Sequence, residues 1–358
     1  MANISIIGVG RLGLCLALNL ESKGNFILGV DVDPSYIDSL NNKTLLSSEP
    51  KVNELLANSK NASFTTDIEK AVSNDIIFVV VKTPSTPDWK YDHSYIDAVA
   101  NQLIAIGKQD RRKDLIINST TFPGYCDILH QKLKDYNYHV SYNPEFIAQG
   151  TIIRDQLNPD NVLIGQADEY AGSLIVEIYK SLVDSNPVFN MMTRTEAELT
   201  KLSVNCYLTT KISYANMVGD IAERLGCDPN VVLSAIGTDS RIGNKYLKPG
   251  FGFGGPCFPR DNRALAKCAE EVGIDAVISK ATDEMNEKHL EYQIEQYTKS
   301  NPDKTKPVEI EFVTYKKEST ILEESQQLKF ALELKKLGYE IKLLDQRKDV
   351  LDQLNVLL

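Results

Sequence analysis

The sequence predicts an α/β protein whose N-terminal part is a Rossmann-type, doubly wound sheet. Three observations predict it. Short apolar runs alternate with amphipathic stretches from the start of the chain. The first run ends in Gly8-Val9-Gly10-Arg11-Leu12-Gly13. The runs are continuously apolar instead of alternating with polar residues. Continuous apolar strands between helices point to a parallel sheet covered on both faces.

The elements follow in order. Residues 4–7 form the first strand and run into the glycine turn. Leu14, Leu16, Leu18 and Leu20 mark a helix that Lys23-Gly24 stops, and Phe26–Val30 is the next strand. This context gives G-x-G-x-x-G its meaning. Gly8 allows the tight turn, Gly10 lets the backbone approach a pyrophosphate, and Gly13 lets the helix pack on the strand. With Arg11 and Leu12, these glycines form the N-terminus of a helix, where a pyrophosphate would sit. Asp31 closes the second strand, where a carboxylate bonds ribose hydroxyls and repels a 2′-phosphate, so NAD is favoured over NADP. The alternative is a strand–turn–helix corner without a ligand.

Three further strands are expected. Residues 75–81 end in Lys82-Thr83-Pro84-Ser85, residues 114–118 in Ser119-Thr120-Thr121, and residues 139–142 in Asn143-Pro144-Glu145. Ligands of such sheets bind beyond the carboxyl ends of the strands, which is where Thr83, Pro84, Thr120 and Glu145 fall. A threonine there also suits a turn or a helix cap.

From residue 193 to about 225 the chain has few helix breakers. Thr195 and Glu198 have the spacing of a capping box. Leu199, Leu202, Cys206, Ile212, Met217 and Ile221 recur at helical spacing, which predicts a long, mostly buried helix. Lys201 and Asn205 share one face of it and need partners there. A snorkelling lysine beside a capped amide is the plain reading of that pair. Residues 248–261 then hold four glycines and three prolines around Cys257, with Arg260 and Asp261 beside it. Such a loop has a fixed, non-repetitive path on which backbone N–H groups can converge on an anion or a substrate. A nearby cation raises a thiol's thiolate fraction, whereas the commonest fate of an isolated cysteine is a buried structural place.

Composition bounds the rest. A chain of 358 residues predicts two or three domains. The net charge of −10 argues against nucleic acid as a partner. No run reaches the length of a membrane span, and the chain starts a strand almost at once, without a signal-peptide pattern. The six cysteines are scattered with no C-x-x-C pair, so no zinc site is expected. Free thiols in a reducing cytoplasm are the expectation.

Taken together, the motifs resemble the UDP-glucose/GDP-mannose dehydrogenase family, its UDP-glucose 6-dehydrogenase branch above all. The matching pieces are the glycine turn, Ser119-Thr120 with Pro123-Gly124, Asn143-Pro144-Glu145-Phe146 and Asn158-Pro159-Asp160. Glu196-Ala197-Glu198-Leu199 with Lys201 and Asn205, Arg241-Ile242-Gly243, and the stretch from Phe251 to Asp261 complete them. They run in family order over about the first 290 residues. The resemblance implies a four-electron oxidation of a UDP-hexose C6 alcohol to a carboxylate, with NAD as cofactor. Cys257 would trap the aldehyde and become a thioester. Lys201 and Asn205 would steady the oxyanion, while Glu145, Thr120 and Asp261 would position and deprotonate water. Gln149 and Arg260 would stand at the cofactor. Glu145, Phe146, Ile147, Ala148, Lys201, Asn205, Arg241, Tyr246, Leu247, Gly250, Phe251, Gly254 and Lys316 would hold the sugar nucleotide. Arg241 would reach a partner subunit, so a homodimer built on the long helix is implied. The implied domains are an NAD-binding domain over 1–193, a central helical domain over 194–298, and a shortened nucleotide-sugar domain over 299–358.

The match departs from the family at Gln149, where glutamate is usual, at Arg260, where lysine is usual, and at Glu323, where an arginine contacts the cofactor. Beyond residue 299 only a strand over 308–313, a helix over about 323–337 and a strand over 340–344 are expected. Two other readings therefore stand beside the first. One is a two-electron dehydrogenase of the hydroxyacid type, which has no use for a glycine-framed Cys257. The other is a catalytically silent sugar-nucleotide-binding protein.

Overall fold

The computed structural model describes residues 1–147 and 150–357, so the roles expected of Ala148 and Gln149 lie outside the described residues. The chain divides into two compact units, Met1–Lys201 and Leu202–Leu358.

The first unit holds strands β1 (Asn3–Ile7), β2 (Phe26–Val30), β3 (Ala62–Thr65), β4 (Ile76–Val79), β5 (Lys113–Ile117), β6 (Tyr138–Tyr142), β7 (Asn161–Gly165) and β8 (Val188–Met192). Its helices are α1 (Arg11–Ser22), α2 (Pro34–Asn41), α3 (Val52–Asn58), α4 (Ser94–Ile106), α5 (Tyr125–Leu133), α6 (Ile152–Leu157), α7 (Glu169–Leu182) and the start of α8 (Arg194–Arg224). One sheet runs in the order β3-β2-β1-β4-β5-β6-β7-β8. The order reverses between β1 and β4, which makes the crevice above them the place where a ligand binds in a doubly wound fold.

The apolar runs explain the double cover. Ile4, Ile6, Phe78 and Ile116 pack on one face with Leu16 of α1, while Ile7, Ile77, Val79 and Ile117 pack on the other with Leu103 of α4. Successive residues of one strand thus serve opposite layers. The sheet departs from the parallel expectation at one place. β6 and β7 meet antiparallel through Tyr142 and Gly165, while β7 and β8 are parallel to each other. A buried apolar run reads the same in either direction, so its sequence carries no sign of this reversal.

Helix α8 corrects two expectations. Its capping box is Thr193 with Glu196: the Thr193 backbone donates to Glu196 Oε2 at 2.8 Å, and the Glu196 backbone donates to Thr193 Oγ1 at 3.4 Å. Thr195 instead donates to Asp127 Oδ2 at 2.7 Å. The helix is also less buried than its pattern suggests. Leu202 and Cys206 are enclosed, but Leu199, Met217 and Ile221 face solvent.

The second unit holds the remainder of α8, then α9 (Pro229–Gly237), α10 (Phe258–Glu271) and α11 (Val277–Ser300). After them come β9 (Val308–Ile310), α12 (Gln326–Lys336), β10 (Ile341–Leu343) and α13 (Lys348–Leu357). β9 and β10 pair in parallel, Val308 opposite Ile341. Val313, Leu322, Leu328, Ala331, Val350 and Leu354 form a separate apolar cluster there. Each of the three elements expected in this region is shorter than the sequence suggested, and α13 is an addition to them.

Candidate active site

The glycine turn after β1 is built for close approach. Gly8 has φ +90°, and a side chain on it would strike the Val80 carbonyl. One on Gly13 would collide with the Gly8 carbonyl. Gly10 is different: a methyl there would meet no atom within 4 Å. Gly10 is also the N-cap of α1 and brings no capping side chain of its own to the first N–H groups of that helix. Those donors, at Arg11, Leu12 and Gly13, belong to a helix end that suits a pyrophosphate. Asp31 stands at the end of β2, part-exposed, and its Oδ1 accepts from the Asp33 backbone at 3.4 Å. The residues present therefore fit a dinucleotide.

The ends of β4, β5 and β6 are tied to one another. Ser119 Oγ accepts from the Val81 backbone at 2.9 Å and donates to its carbonyl at 2.6 Å. Thr83, buried, donates to the Thr120 carbonyl at 2.8 Å. The Pro84 carbonyl accepts from the Asp92 backbone at 2.7 Å. Asn118 donates to the Asn143 carbonyl at 2.7 Å. The loop after Thr120 is fixed from α8 by Glu198, fully buried. Its Oε1 accepts from Thr121 Oγ1 at 2.8 Å and the Cys126 backbone at 2.9 Å, and its Oε2 from the Gly124 backbone at 2.6 Å.

Glu145 lies just past β6, and Tyr179 of α7 donates to its Oε1 at 3.2 Å. Burial of the carboxyl pushes its pKa up to about 7, while Tyr179, Asn118 and the Lys201 charge pull the other way. Lys201, only 6 % exposed, donates to the Glu145 carbonyl at 2.6 Å and stands 4.2 Å from the centre of the Phe146 ring. Ile147 packs against the core. The predicted residues Thr83, Thr120, Glu145, Phe146 and Lys201 thus occupy the carboxyl-end side of one sheet.

In the second unit, Cys257 is exposed and is the N-cap of α10. One turn on, Asp261 is fully buried and receives a donor on each oxygen: Asn205 at 2.6 Å on Oδ2 and Arg260 at 3.0 Å on Oδ1. The loop before Cys257 is clamped by α11. Asn286 exchanges two bonds with the Phe253 backbone at 2.9 and 3.0 Å, and His289 Nε2 lies 2.6 Å from the Gly250 carbonyl.

Three of the loop glycines lie where a side chain would collide with the protein. A side chain on Gly252 would strike Asn286, one on Gly254 the Glu324 carbonyl, and one on Gly255 the Tyr315 ring at 2.6 Å. The Gly255 backbone donates to the Glu323 carbonyl at 3.1 Å. Lys316 stands next to that Tyr315 ring, its Nζ 5.9 Å from the ring centre.

Tyr246, Gly250 and Phe251 line one cavity of about 450 Å³, together with Lys245 and Lys248. Leu247 turns inward instead and packs with Ala215 and Leu233. Arg241 projects from the surface, its side chain 87 % exposed, and its Nη2 is 2.7 Å from Asp239.

Sequence reasoning singled out neither Tyr179 nor His289. Tyr179 is one apolar position among several on α7, and only the path of β6 brings Glu145 to it. Glu198 was legible as part of a motif, but its inward direction depended on the cap falling at Thr193 and not at Thr195.

A doubly wound sheet with a glycine turn at its switch point defines the dinucleotide-binding class of fold, and helices with a cysteine at a helix N-terminus follow it in the chain. The family is shown by comparison. Residues 2–183 match the NAD binding domain, and residues 195–288 the central domain, of the UDP-glucose/GDP-mannose dehydrogenase family, and the chain belongs to that family.

It is 34% identical over 298 residues to a UDP-glucose 6-dehydrogenase of Bacillus subtilis, covering 80% of this chain and 63% of that protein. It is 30% identical over 358 residues to a GDP-mannose 6-dehydrogenase of Pseudomonas aeruginosa, covering 96% and 81%. A solved UDP-glucose dehydrogenase of Pyrobaculum islandicum superposes with a TM-score of 0.86 at 31% identity, covering 96% of this chain and 81% of that one. The chain thus spans less than two thirds of the Bacillus relative's length. Among the described residues, no helix is long and apolar enough to cross a membrane.

Proposed function

We propose that the chain oxidises the C6 alcohol of a UDP-hexose, UDP-glucose first, to the carboxylate, in two oxidations that share one cysteine. The observation that carries this reading is Cys257 at the N-cap of α10, exposed, with the buried Asp261 one turn behind it. A thiol serves no purpose in a plain alcohol oxidation. It serves the second oxidation: sulfur adds to the aldehyde to give a thiohemiacetal, and loss of a hydride from that carbon leaves a thioester.

The glycine turn at Gly8, Gly10 and Gly13, with Asp31, Thr83, Pro84 and Thr120, would hold NAD⁺, and Arg260 and Gln149 would adjoin it. Bound NAD⁺ supplies a hydride acceptor for each oxidation. Cys257 adds its sulfur to the aldehyde carbon. Lys201 and Asn205 steady the oxygen that becomes negative in that addition. Glu145, Thr120 and Asp261 orient water and take its proton. Once the thiohemiacetal has lost its hydride and become a thioester, water displaces the sulfur, releasing the acid and returning the thiol. Phe146, Ile147, Ala148, Arg241, Tyr246, Leu247, Gly250, Phe251, Gly254 and Lys316 would hold the sugar nucleotide.

The same reading divides the chain into an NAD-binding domain over 1–193, a central domain over 194–298 and a C-terminal nucleotide-sugar domain over 299–358. It also proposes a cytoplasmic homodimer. Tyr207, Tyr214, Met217 and Ile221 recur three, four or seven residues apart on α8 and are all exposed, with Leu225 exposed just beyond its end. Such a stripe suits a second copy of the same helix. The exposed Arg241 of each copy is then free to serve its partner.

The test is stoichiometric. The full chain is mixed with NAD⁺ and a panel of UDP- and GDP-sugars, and NADH is counted per sugar consumed. About two equivalents of NADH with UDP-glucose support the reading. A single equivalent from another alcohol supports a two-electron dehydrogenase, and binding without NADH supports a silent protein. Cys257→Ser is expected to abolish acid formation. Full acid yield from that variant overturns the thioester route.

A further inference from the structure

We propose that Tyr179 is the positioning residue that sets the protonation of Glu145. The proposal rests on the reading of Glu145 as the group that takes a proton in the reaction.

Tyr179 is held on a rigid element. The N-cap of α7 is Asp168, whose Oδ1 accepts from the Ala171 backbone at 2.9 Å. Asp168 is itself anchored by Arg112, whose Nη1 and Nη2 donate to its two oxygens at 2.8 and 3.0 Å. Ile175, Ile178, Tyr179 and Leu182 form the buried face of the helix. That packing fixes the ring, so the phenol oxygen has little choice of direction. It meets Glu145 Oε1 at 3.2 Å.

The groups that face the Glu145 carboxyl come from several elements. Tyr179 comes from α7, Lys201 from α8 and Asn118 from the end of β5. Asn143, at the end of β6, adjoins the phenol and pulls its pKa down against the rise that burial causes. The ammonium of Lys201 is occupied at 2.6 Å by the backbone carbonyl of Glu145 itself. The Tyr179 phenol is a direct hydrogen-bond donor to the carboxylate.

The physical consequence has a definite sign. A donor to a carboxylate stabilises its charged form. Burial favours the protonated form of Glu145, and the Tyr179 bond, together with Asn118 and the Lys201 charge, opposes it, so that the pKa is pushed up to about 7. A proton acceptor works best when its pKa lies near the working pH. Tyr179→Phe keeps the ring and removes only the donor, so Glu145 should hold its proton to higher pH. Substituting 3-fluorotyrosine at 179 makes the phenol a stronger donor and should act in the opposite direction.

The experiment uses the full chain with two readouts. The first is the pH dependence of NADH formation from UDP-glucose. The second is the midpoint of the protonated-carboxyl infrared band, assigned to Glu145 by its loss in Glu145→Gln. Tyr179→Phe is expected to raise both midpoints by about one pH unit, a tenfold shift in the proton equilibrium, while Asn118 and the Lys201 charge go on favouring the ionised form. KM is expected to stay unchanged, and the rate to recover at high pH. The 3-fluorotyrosine chain is expected to lower both midpoints, which keeps the test decisive should Tyr179→Phe fail to fold. An unmoved infrared midpoint in a folded variant overturns the proposal. A moved infrared midpoint with an unmoved rate profile upholds the Tyr179–Glu145 tie and overturns Glu145 as proton acceptor. A chain inactive on every sugar fails the functional reading, while the infrared midpoint still decides the role of Tyr179.

Discussion

Asn205 donates its amide to Asp261 Oδ2 across 2.6 Å, and the carboxylate that it meets is closed to solvent. Arg260 bonds the other oxygen at 3.0 Å. A buried carboxylate is tolerated only when its oxygens have donors, and here α8 supplies one and α10 the other. The expected result of Asn205→Ala is a loss of about 1–3 kcal/mol, seen as a lower urea midpoint with an unchanged slope. Asn205→Asp is expected to be worse at pH 8, because two carboxylates then face each other. The repulsion needs both groups charged, so the loss is expected to be larger at pH 8 than in acid. Equal melting of Asn205→Asp and wild type at pH 8 would show that the two side chains do not meet.

Gly10 and Gly13 look alike in the motif and do different work. A methyl on Gly13 collides with the Gly8 carbonyl, whereas one on Gly10 enters open space beyond the N-terminus of α1. Gly13→Ala is therefore expected to lower the melting temperature or prevent folding. Gly10→Ala should melt as wild type does and weaken NAD⁺ binding at least tenfold, about 1.4 kcal/mol. Calorimetric titration of the folded variant with NAD⁺ checks this. Unchanged affinity in Gly10→Ala would remove the pyrophosphate from that helix end.

Much of this was legible from residues alone. The apolar runs gave away the strands because a doubly covered sheet demands them, and the glycine turn fell in the one context that gives it meaning. The long helix and the loop around Cys257 were legible for the same kind of reason, since few breakers and many breakers are both local signals. What stayed hidden was long-range. The antiparallel β6–β7 contact leaves no periodic trace. The inward turn of Glu198 depends on whether the cap falls at Thr193 or at Thr195, two residues with the same chemistry. Tyr179 meets Glu145 only because a helix and a strand end converge, which no spacing within one element encodes. Glycine content in the Cys257 loop predicts backbone N–H groups free to converge on an anion or a substrate, and it does not tell which glycines are also required by packing. At Gly252, Gly254 and Gly255 they make room for Asn286, Glu324 and Tyr315.

The α8 stripe yields the last prediction. Ile221 is 52 % exposed, on the same side of the helix as Tyr214 and Met217. A symmetric dimer built on α8 buries the stripe twice, so one substitution counts twice. Covering the remaining half of an isoleucine is worth roughly 0.8–1.5 kcal/mol. Ile221→Asp should then weaken association by at least about 1.5 kcal/mol, a factor of roughly 10 or more in Kd. Light scattering behind a sizing column is expected to give a dimer for the wild type and a monomer for Ile221→Asp at low micromolar protein. The isolated chain should keep its melting temperature, because Ile221 is not part of its core. Oxidation of UDP-glucose should fall with dilution in the variant if Arg241 serves the partner's site. A wild-type chain that elutes as a monomer, or an Ile221→Asp chain that stays dimeric, places the contact somewhere other than α8.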